Sequence, residues 1–580
     1  MREQRHNSSP IFILAYLFAS LVAAHKATYN VIGIPVKNDQ ATVAMGVLVD
    51  GHIHRLYPSN RSLVLHQGEA PNRKHYRYVQ YNLDTNEIID SEAEDRPPVK
   101  NTSSLNEFYG RSWTRKATKK FQSLAHSVHF NRTHTDLHPS DEIPTIHIMS
   151  AEEDVNQLHD YYLKDIDIPA NMTYLRADSI SSFTNVRFKI GGRSSRLFTK
   201  LSYNINLPKD QKLKGYRKLK LRAAASDPSY MREKLAYDML YAAGMPASQA
   251  SYVRLFINDR AIGLFLLVEK YDDTWLKNEF HGGVGRKHGV LYEGKGIGKD
   301  SQTSSDLSYH GSNTASYIES AYELKELDTE EKSSDFHDLM ELTKFIDAQI
   351  KAVKEASNET KDAWEGHLDV RVFLTNMAFE FLQGSWDGYL QNAENYYLYK
   401  HPVNKRFIWI PWDLEYVMGS GPVSISRLLE GDYRQFDGIS HRPLIKGLLD
   451  NTKYRKIFDD TLRELIALYD QSFPVIDSLA EFLQQDVAWD QSQPHMRDGF
   501  SFLPLGPNFV ENVLLNNLSQ VTAPLPLSMD YMVAADYLIR INQHISFDTA
   551  IEGNTEHSSL MGVKEWIRQK SESVKKYLLI

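Results

Sequence analysis

Between Asp387 and Glu415 the chain reads DGYLQNAENYYLYKHPVNKRFIWIPWDLE, and no other stretch limits its possible folds as strongly. Tyr396 to Tyr399 and Phe407 to Ile410 are aromatic and β-branched runs, and Pro402-Val403-Asn404-Lys405 can turn the chain between them, which predicts a β-hairpin. A carboxylate, Asp387, and an amide, Asn392, precede the hairpin, and a second carboxylate, Asp413, follows its second strand at once. Carboxylates and amides offer hard oxygen ligands to a divalent cation, and a positioned carboxylate can orient a hydroxyl and take its proton. The plain structural alternative makes Asp387 and Asn392 turn residues and Asp413 a helix cap, positions that Asp and Asn favour in any case.

Asp387 and Asn392 have the D-x-x-x-x-N spacing of a protein-kinase catalytic loop, and Asp413 stands where a kinase carries the aspartate of its D-F-G motif. The run N-Y-Y-L-Y, then R-F-I-W-I-P-W-D-L-E and Gly419, resembles the signature of the CotH kinase family (spore coat protein H). So does LKLRAAASDPSYMREKLAYDMLYAAGMPASQASYVRLFINDRAIGLFLLVEK, from Leu219 to Lys270. The similar blocks lie within about residues 143 to 500, and the finer resemblance is to fungal members, which are secreted or cell-surface proteins of spores. It implies an α+β, atypical protein-kinase-like two-lobed fold that transfers the γ-phosphate of ATP to Ser or Thr of spore-coat or cell-wall proteins. On that footing Asp387 is the expected catalytic base, and Asn392 and Asp413 are the expected ligands of Mg2+ (or Mn2+). Lys220 is the expected cation on the ATP phosphates, and Glu269 is expected to border the adenine site. Asn395, three residues beyond Asn392, is an alternative amide ligand.

Composition excludes several other classes. The formal net charge of −8 argues against nucleic acid as a partner, and the absence of cysteine rules out thiol chemistry and cysteine metal sites. Arg2 and Arg5 precede an apolar run from Ile11 to Val22, and Val22 and Ala24 suit a cut before His25, so residues 1–24 read as a signal peptide. The run is too short to span a bilayer, and no integral membrane segment is expected. A secreted, extracellular protein, on the spore or cell surface, is the reading that follows. Sequons at Asn60, Asn101, Asn131, Asn171, Asn358 and Asn517 fit glycosylated surface loops. The C-terminal Ser-Val-Lys-Lys-Tyr-Leu-Leu-Ile lacks the spacer and hydrophobic tail of a lipid-anchor signal.

Residues 25–96 hold short strand-like runs separated by turns and read as a small N-terminal β-sandwich, and 97–142 reads as a polar linker packed on the surface. Residues 143–270 are expected to form the N-lobe, 271–500 the mostly helical C-lobe, and 501–580 a C-terminal helical extension. The strand Val186–Ile190 runs into Gly191-Gly192-Arg193-Ser194-Ser195, a turn whose N–H groups, at Gly192 and Ser194 above all, could lie over phosphates. The family has R-G-N-S-S here. Gly294 to Gly298 opens no helix and reads as a flexible loop instead. In the strand Arg217–Ala223, Lys218, Lys220 and Arg222 share one face. Asp227 is the predicted N-cap of the next helix, with Pro228 at its first position, and Glu233 on that helix could pair with Lys220. His52, His54, His126, His129, His134 and His138 lack a regular ligand spacing and read as ordinary strand and loop histidines.

Two rival readings belong to other classes. One is a surface adhesin on an inactive kinase scaffold, engaging a host surface receptor as fungal relatives of the family do. The other is a glycosidase using Asp387 and Glu394, for which the neighbouring sequence offers no support.

Overall fold

The computed structural model describes residues 26–579 apart from 39–40, 73, 125–129, 193, 285–286, 298–302, 330–334, 355–362, 495 and 497–529. The expected signal peptide, His126, His129, Arg193, Gly298 and the sequons at Asn358 and Asn517 lie outside the described residues. The chain is a mixture of helix and strand with several sheets. At its centre seven strands close a barrel, in the order Asp167–Leu175, Ile180–Ile190, Tyr203–Asn206, Lys218–Arg222, Arg260–Glu269, Ala250–Ile257 and Thr145–Met149. Alternation explains the Lys218–Arg222 strand: Leu219 and Leu221 are fully buried in the core, while the three cations emerge on the opposite side.

The helix Arg232–Ala242 leaves this strand and packs against Ala250–Ile257. It begins later than Asp227-Pro228 predicted. The Asp227 carboxylate accepts the Ser229 N–H and hydroxyl and the Arg232 N–H, and pairs with the fully buried Arg232 guanidinium. The segment between is therefore a tight loop organised by one carboxylate, and the helix starts where its bonds end.

Before the barrel, two four-stranded sheets contribute Tyr29 and Val31 on one side and Val47, Val49 and Tyr78 on the other to a shared apolar cluster. The stretch expected to be linker supplies one of these strands, Ser103–Phe108, which pairs in parallel with Lys26–Ile32. Its alternation is masked in sequence because Ser103, Ser104 and Asn106 are polar; Asn30 holds both serines from the neighbouring strand. Asn60, Asn101, Asn131 and Asn171 are all exposed.

Beyond the barrel lies a fourth sheet, ordered Tyr322–Glu326, Leu291–Lys295, Glu394–Lys400, Phe407–Pro411, surrounded by helices. Gly294 and Lys295 belong to its strands, so the glycine cluster starts as sheet, with Gly296 turning the chain at φ +90°. The helix Val370–Gln383 is buried along most of its length and crosses Thr452–Asp470. The C-terminal segment is no appendage. On the helix Val563–Leu578, Trp566 is fully buried and shares the main core with the barrel and helices. It sits so close to Gly384 that a Cβ there would lie 2.5 Å from its ring. Among the described residues no helix is long and apolar enough to cross a membrane.

Candidate functional site

The Asp369 side chain caps Val370–Gln383 by accepting the Val372 N–H at 3.2 Å, and Gly384, at φ +58°, ends the helix in the left-handed region. The chain then turns through Trp386 to Asp387, where Trp386 N–H donates to the Tyr416 carbonyl at 3.2 Å. The Asn392 amide donates to Asp387 Oδ1 at 3.3 Å, and the Asn395 amide donates to Asp387 Oδ2 at 2.8 Å and to its carbonyl at 2.8 Å. Both candidate amides thus reach the same carboxylate. The predicted hairpin, Glu394–Lys400 with Phe407–Pro411, is present, and Trp412 N–H donates to the Asn395 carbonyl at 2.9 Å. That register brings Asp413 back beside the Asp387 loop. Burial first, then the neighbouring carboxylates Glu394 and Asp413, push the Asp387 carboxyl well above its usual range.

Asp413 is a loop residue at φ +56°, a conformation non-glycine residues adopt at a cost of about 1 kcal/mol. It is not a helix cap. Two cations from the barrel strand Lys218–Arg222 meet it: Arg222 through both terminal nitrogens, Nη1 at 3.0 Å, and Lys220 through Nζ at 3.4 Å. Burial opposes the Asp413 charge, but Arg222 and then Lys220 outweigh it and hold the carboxyl far below the ordinary carboxylate range. Arg222 also reaches Glu415 Oε2 at 3.1 Å and donates from Nε to Glu233 Oε2 at 2.8 Å. This corrects one expectation: Glu233 pairs with Arg222, not Lys220. Both cations share a face, and Arg222 stands one pleat nearer the start of the helix that carries Glu233. Lys220 lies 5.5 Å from the Trp412 ring centroid.

The remaining candidates divide. The Glu269 side chain is 1% exposed; it accepts the Gln249 N–H at 2.8 Å and the Ser248 hydroxyl, and lies 3.1 Å from His138 Nε2. Its carboxylate is thus tied into the barrel wall, and only its backbone is near the strand end. Gly192, at φ +83°, follows the strand Ile180–Ile190, and a Cβ there would meet the Ser195 hydroxyl at 1.9 Å. Ser194 opens a single turn of 3-10 helix, Ser194–Leu197. Arg196 locks this turn by donating to the Gly192, Ile190 and Lys164 carbonyls. Of the predicted set, the structure gathers Asp387, Asn392, Asp413 and Lys220 into one place and adds Arg222, Glu233, Glu394 and Glu415. Among the described residues no group of three or more His, Asp or Glu side chains is arranged to cage a metal ion alone.

Glu380, on the helix before the loop, was not predicted. Its carboxyl accepts the Tyr389 and Leu390 N–H groups at 3.3 and 2.9 Å and so fixes the turn just after Asp387. Burial, only partly offset by these bonds and by Arg442, raises it from 4.5 to about 7. Between those two values the folded chain keeps a proton that the unfolded chain has released, so stability falls as pH rises through that window. Glu380→Gln removes the ionisation. Its stability relative to wild type should therefore improve by roughly 3 kcal/mol between pH 4 and pH 8. Denaturant titrations of both proteins at the two pH values test this; parallel curves would refute it.

The family model described as CotH kinase protein matches residues 187–495, just over half of the chain. Spore coat protein homolog 1 of Rhizopus delemar is 24% identical over 98% of this chain and 84% of its own. Invasin CotH3 of the same organism is 25% identical over 73% of this chain and 69% of its own. Inner spore coat protein H of Bacillus subtilis is 27% identical over 48% of this chain and 71% of its own.

Proposed function

This chain belongs to the CotH kinase protein family, and from that premise we propose that it is a secreted, atypical ATP-dependent protein kinase acting on Ser or Thr of spore-coat or cell-surface proteins. The observation that carries the reading is the meeting of Asp387, held by two amides, with Asp413, held by Lys220 and Arg222 from the barrel. The strand with the cations precedes the helix with Glu233, the order in which a kinase presents its lysine and helix glutamate. The barrel is then the core of an N-lobe, the helical part a C-lobe, and the two N-terminal sheets a β-sandwich set before them.

The residues fit a divalent cation shared with phosphates. Asp387, Glu394 and Asp413 bring three carboxyl groups to one place, close enough to raise the Asp387 carboxyl, and Mg2+ ordinarily takes one or two carboxylates and completes its shell from phosphate oxygens. Asp413 and Asn392, or Asn395, would hold it, and the ion would supply charge neutralisation for the phosphates. Asp387 orients the substrate hydroxyl and accepts its proton; Lys220 and Arg222 face the phosphates; Glu233 and Glu415 keep the Arg222 guanidinium in place. Asp413→Asn should abolish most of the Mg2+ dependence of ATP binding, by about tenfold in affinity or more, because it removes the charged ligand. Arg222 retains Glu233 and Glu415, so the fold should persist. Calorimetric titration of ATP with and without Mg2+ decides; identical affinities for both proteins would remove Asp413 from the site.

The invasin names of three relatives favour a second reading, a surface adhesin on the same scaffold. Secretion, cleavage before His25 and glycosylation at the exposed asparagines belong to either proposal.

A further inference from the structure

Lys270 follows the last residue of Arg260–Glu269, and its N–H donates to the Lys218 carbonyl at 3.0 Å. It extends the ladder in which Leu219 faces Glu269 and Lys220 faces Val268. Facing residues on paired strands share a side of the sheet, as do residues two apart on one strand. Lys270, Lys218, Lys220 and Arg222 therefore stand on one face, the one that Asp413 meets. At roughly 3.3 Å per residue the row from Lys218 to Arg222 is about 13 Å long.

The two ends of the row differ in charge. Arg222 is surrounded by the carboxyls of Asp413, Glu415 and Glu233, so at that end the cation is already engaged and oxygen ligands for a metal ion are at hand. Lys218 lies at 3.8 Å from Asp272 and 3.6 Å from Glu326, both long for an ion pair. Lys270 has no carboxylate: among the described residues its ammonium makes no ion pair and no hydrogen bond, although it is only partly exposed. Burial and then Lys220, Lys325, Lys189 and Lys218 push it down to about 8. Buried cations are ordinarily paired, and among the described residues Lys270 has no such partner, which leaves it open to an anion from outside the chain.

We propose that Lys270, with Lys218 and Lys220, forms an anion subsite at this end of the row, which seats phosphates of the nucleotide's polyphosphate tail away from the carboxylate-rich end. The proposal rests on the kinase reading for the identity of the ligand, and on the lysines alone for its chemistry.

The probe is inorganic tripolyphosphate, titrated calorimetrically into the full-length protein. Lys270→Met should weaken its binding by about tenfold or more, the weight of one charge-assisted contact, and Lys270→Arg by much less. Adenosine binding should not change. In wild type, an amine-acylating reagent at pH 8 followed by mass spectrometry should label Lys270, and tripolyphosphate should protect it. Undiminished tripolyphosphate binding by Lys270→Met overturns the subsite, even if ATP is turned over. Should the Met variant fail to fold, lack of protection in wild type overturns it equally. Conversely, Lys270-dependent tripolyphosphate binding without phosphoryl transfer under any metal keeps the subsite and removes the kinase.

Discussion

Asp387→Asn is expected to lower phosphoryl transfer at least about a hundredfold, the usual weight of a positioned base, while leaving the fold intact. The amide keeps the volume of the side chain and one acceptor oxygen for the Asn392 and Asn395 amides. Its NH2 group can donate towards Glu394, as the proton of the raised Asp387 carboxyl does. Most of the hydrogen bonding is thus kept and at most one accepted bond is lost, so the melting temperature should move by no more than a few degrees. The same variant separates enzyme from adhesin. If transfer collapses and binding to host cells is retained, the site serves catalysis and any adhesive surface lies elsewhere. If wild type transfers no phosphate with Mg2+ or Mn2+, and both proteins adhere alike, the kinase reading is wrong and the invasin-like reading stands.

The parts of this site that could be read from sequence are those fixed by local pattern. Aromatic and β-branched runs around Pro402-Val403-Asn404-Lys405 gave away the hairpin, and with it the return of Asp413 to the Asp387 loop. The K-L-K-L-R alternation placed three cations on one face of a strand. It could not say which of them meets Glu233, because periodicity assigns a face and not a partner. Arg222 wins through its fork, which engages Glu233, Asp413 and Glu415 at once; a lysine ammonium cannot match that geometry. Glu380 was invisible for a different reason. A glutamate within a helix reads as solvent-facing, and only the fold reveals that two backbone N–H groups meet it. The C-terminal helix was legible as a helix by its apolar spacing. That Trp566 would seat against Gly384, immediately before the Asp387 loop, depends on packing across the whole helical half. The stretch 97–142 reads as linker because its side chains are polar, yet polarity does not mean exposure: Arg111 within it is almost wholly buried.

Arg111 also marks where the largest stability effect should lie. It donates to both oxygens of Asp486 at 2.9 Å, across 375 residues of sequence. From the barrel, Arg254 donates to the same carboxylate, with Nη2 at 3.1 Å from Oδ2. Asp486, on the helix Ser472–Gln491, has no exposed surface, and burial alone would disfavour its charge; Arg254 and then Arg111 outweigh burial and keep the carboxyl below its ordinary range. One carboxylate therefore ties the segment after the N-terminal sheets, the barrel and the helical half to one another. Asp486→Ala should cost about 3–5 kcal/mol, because it strands two desolvated guanidinium groups and does not merely delete a contact. Replacing Arg111 by Met as well should recover part of the loss, since one uncompensated charge goes with it. Changing all three residues to apolar ones of similar volume should recover more still. Denaturant unfolding followed by both a global and an N-terminal probe measures this. A loss below about 1 kcal/mol in Asp486→Ala, or additive losses in Asp486→Ala/Arg111→Met, would mean that water or a rearranged carbonyl satisfies the arginines and that the three parts are held together by apolar packing alone.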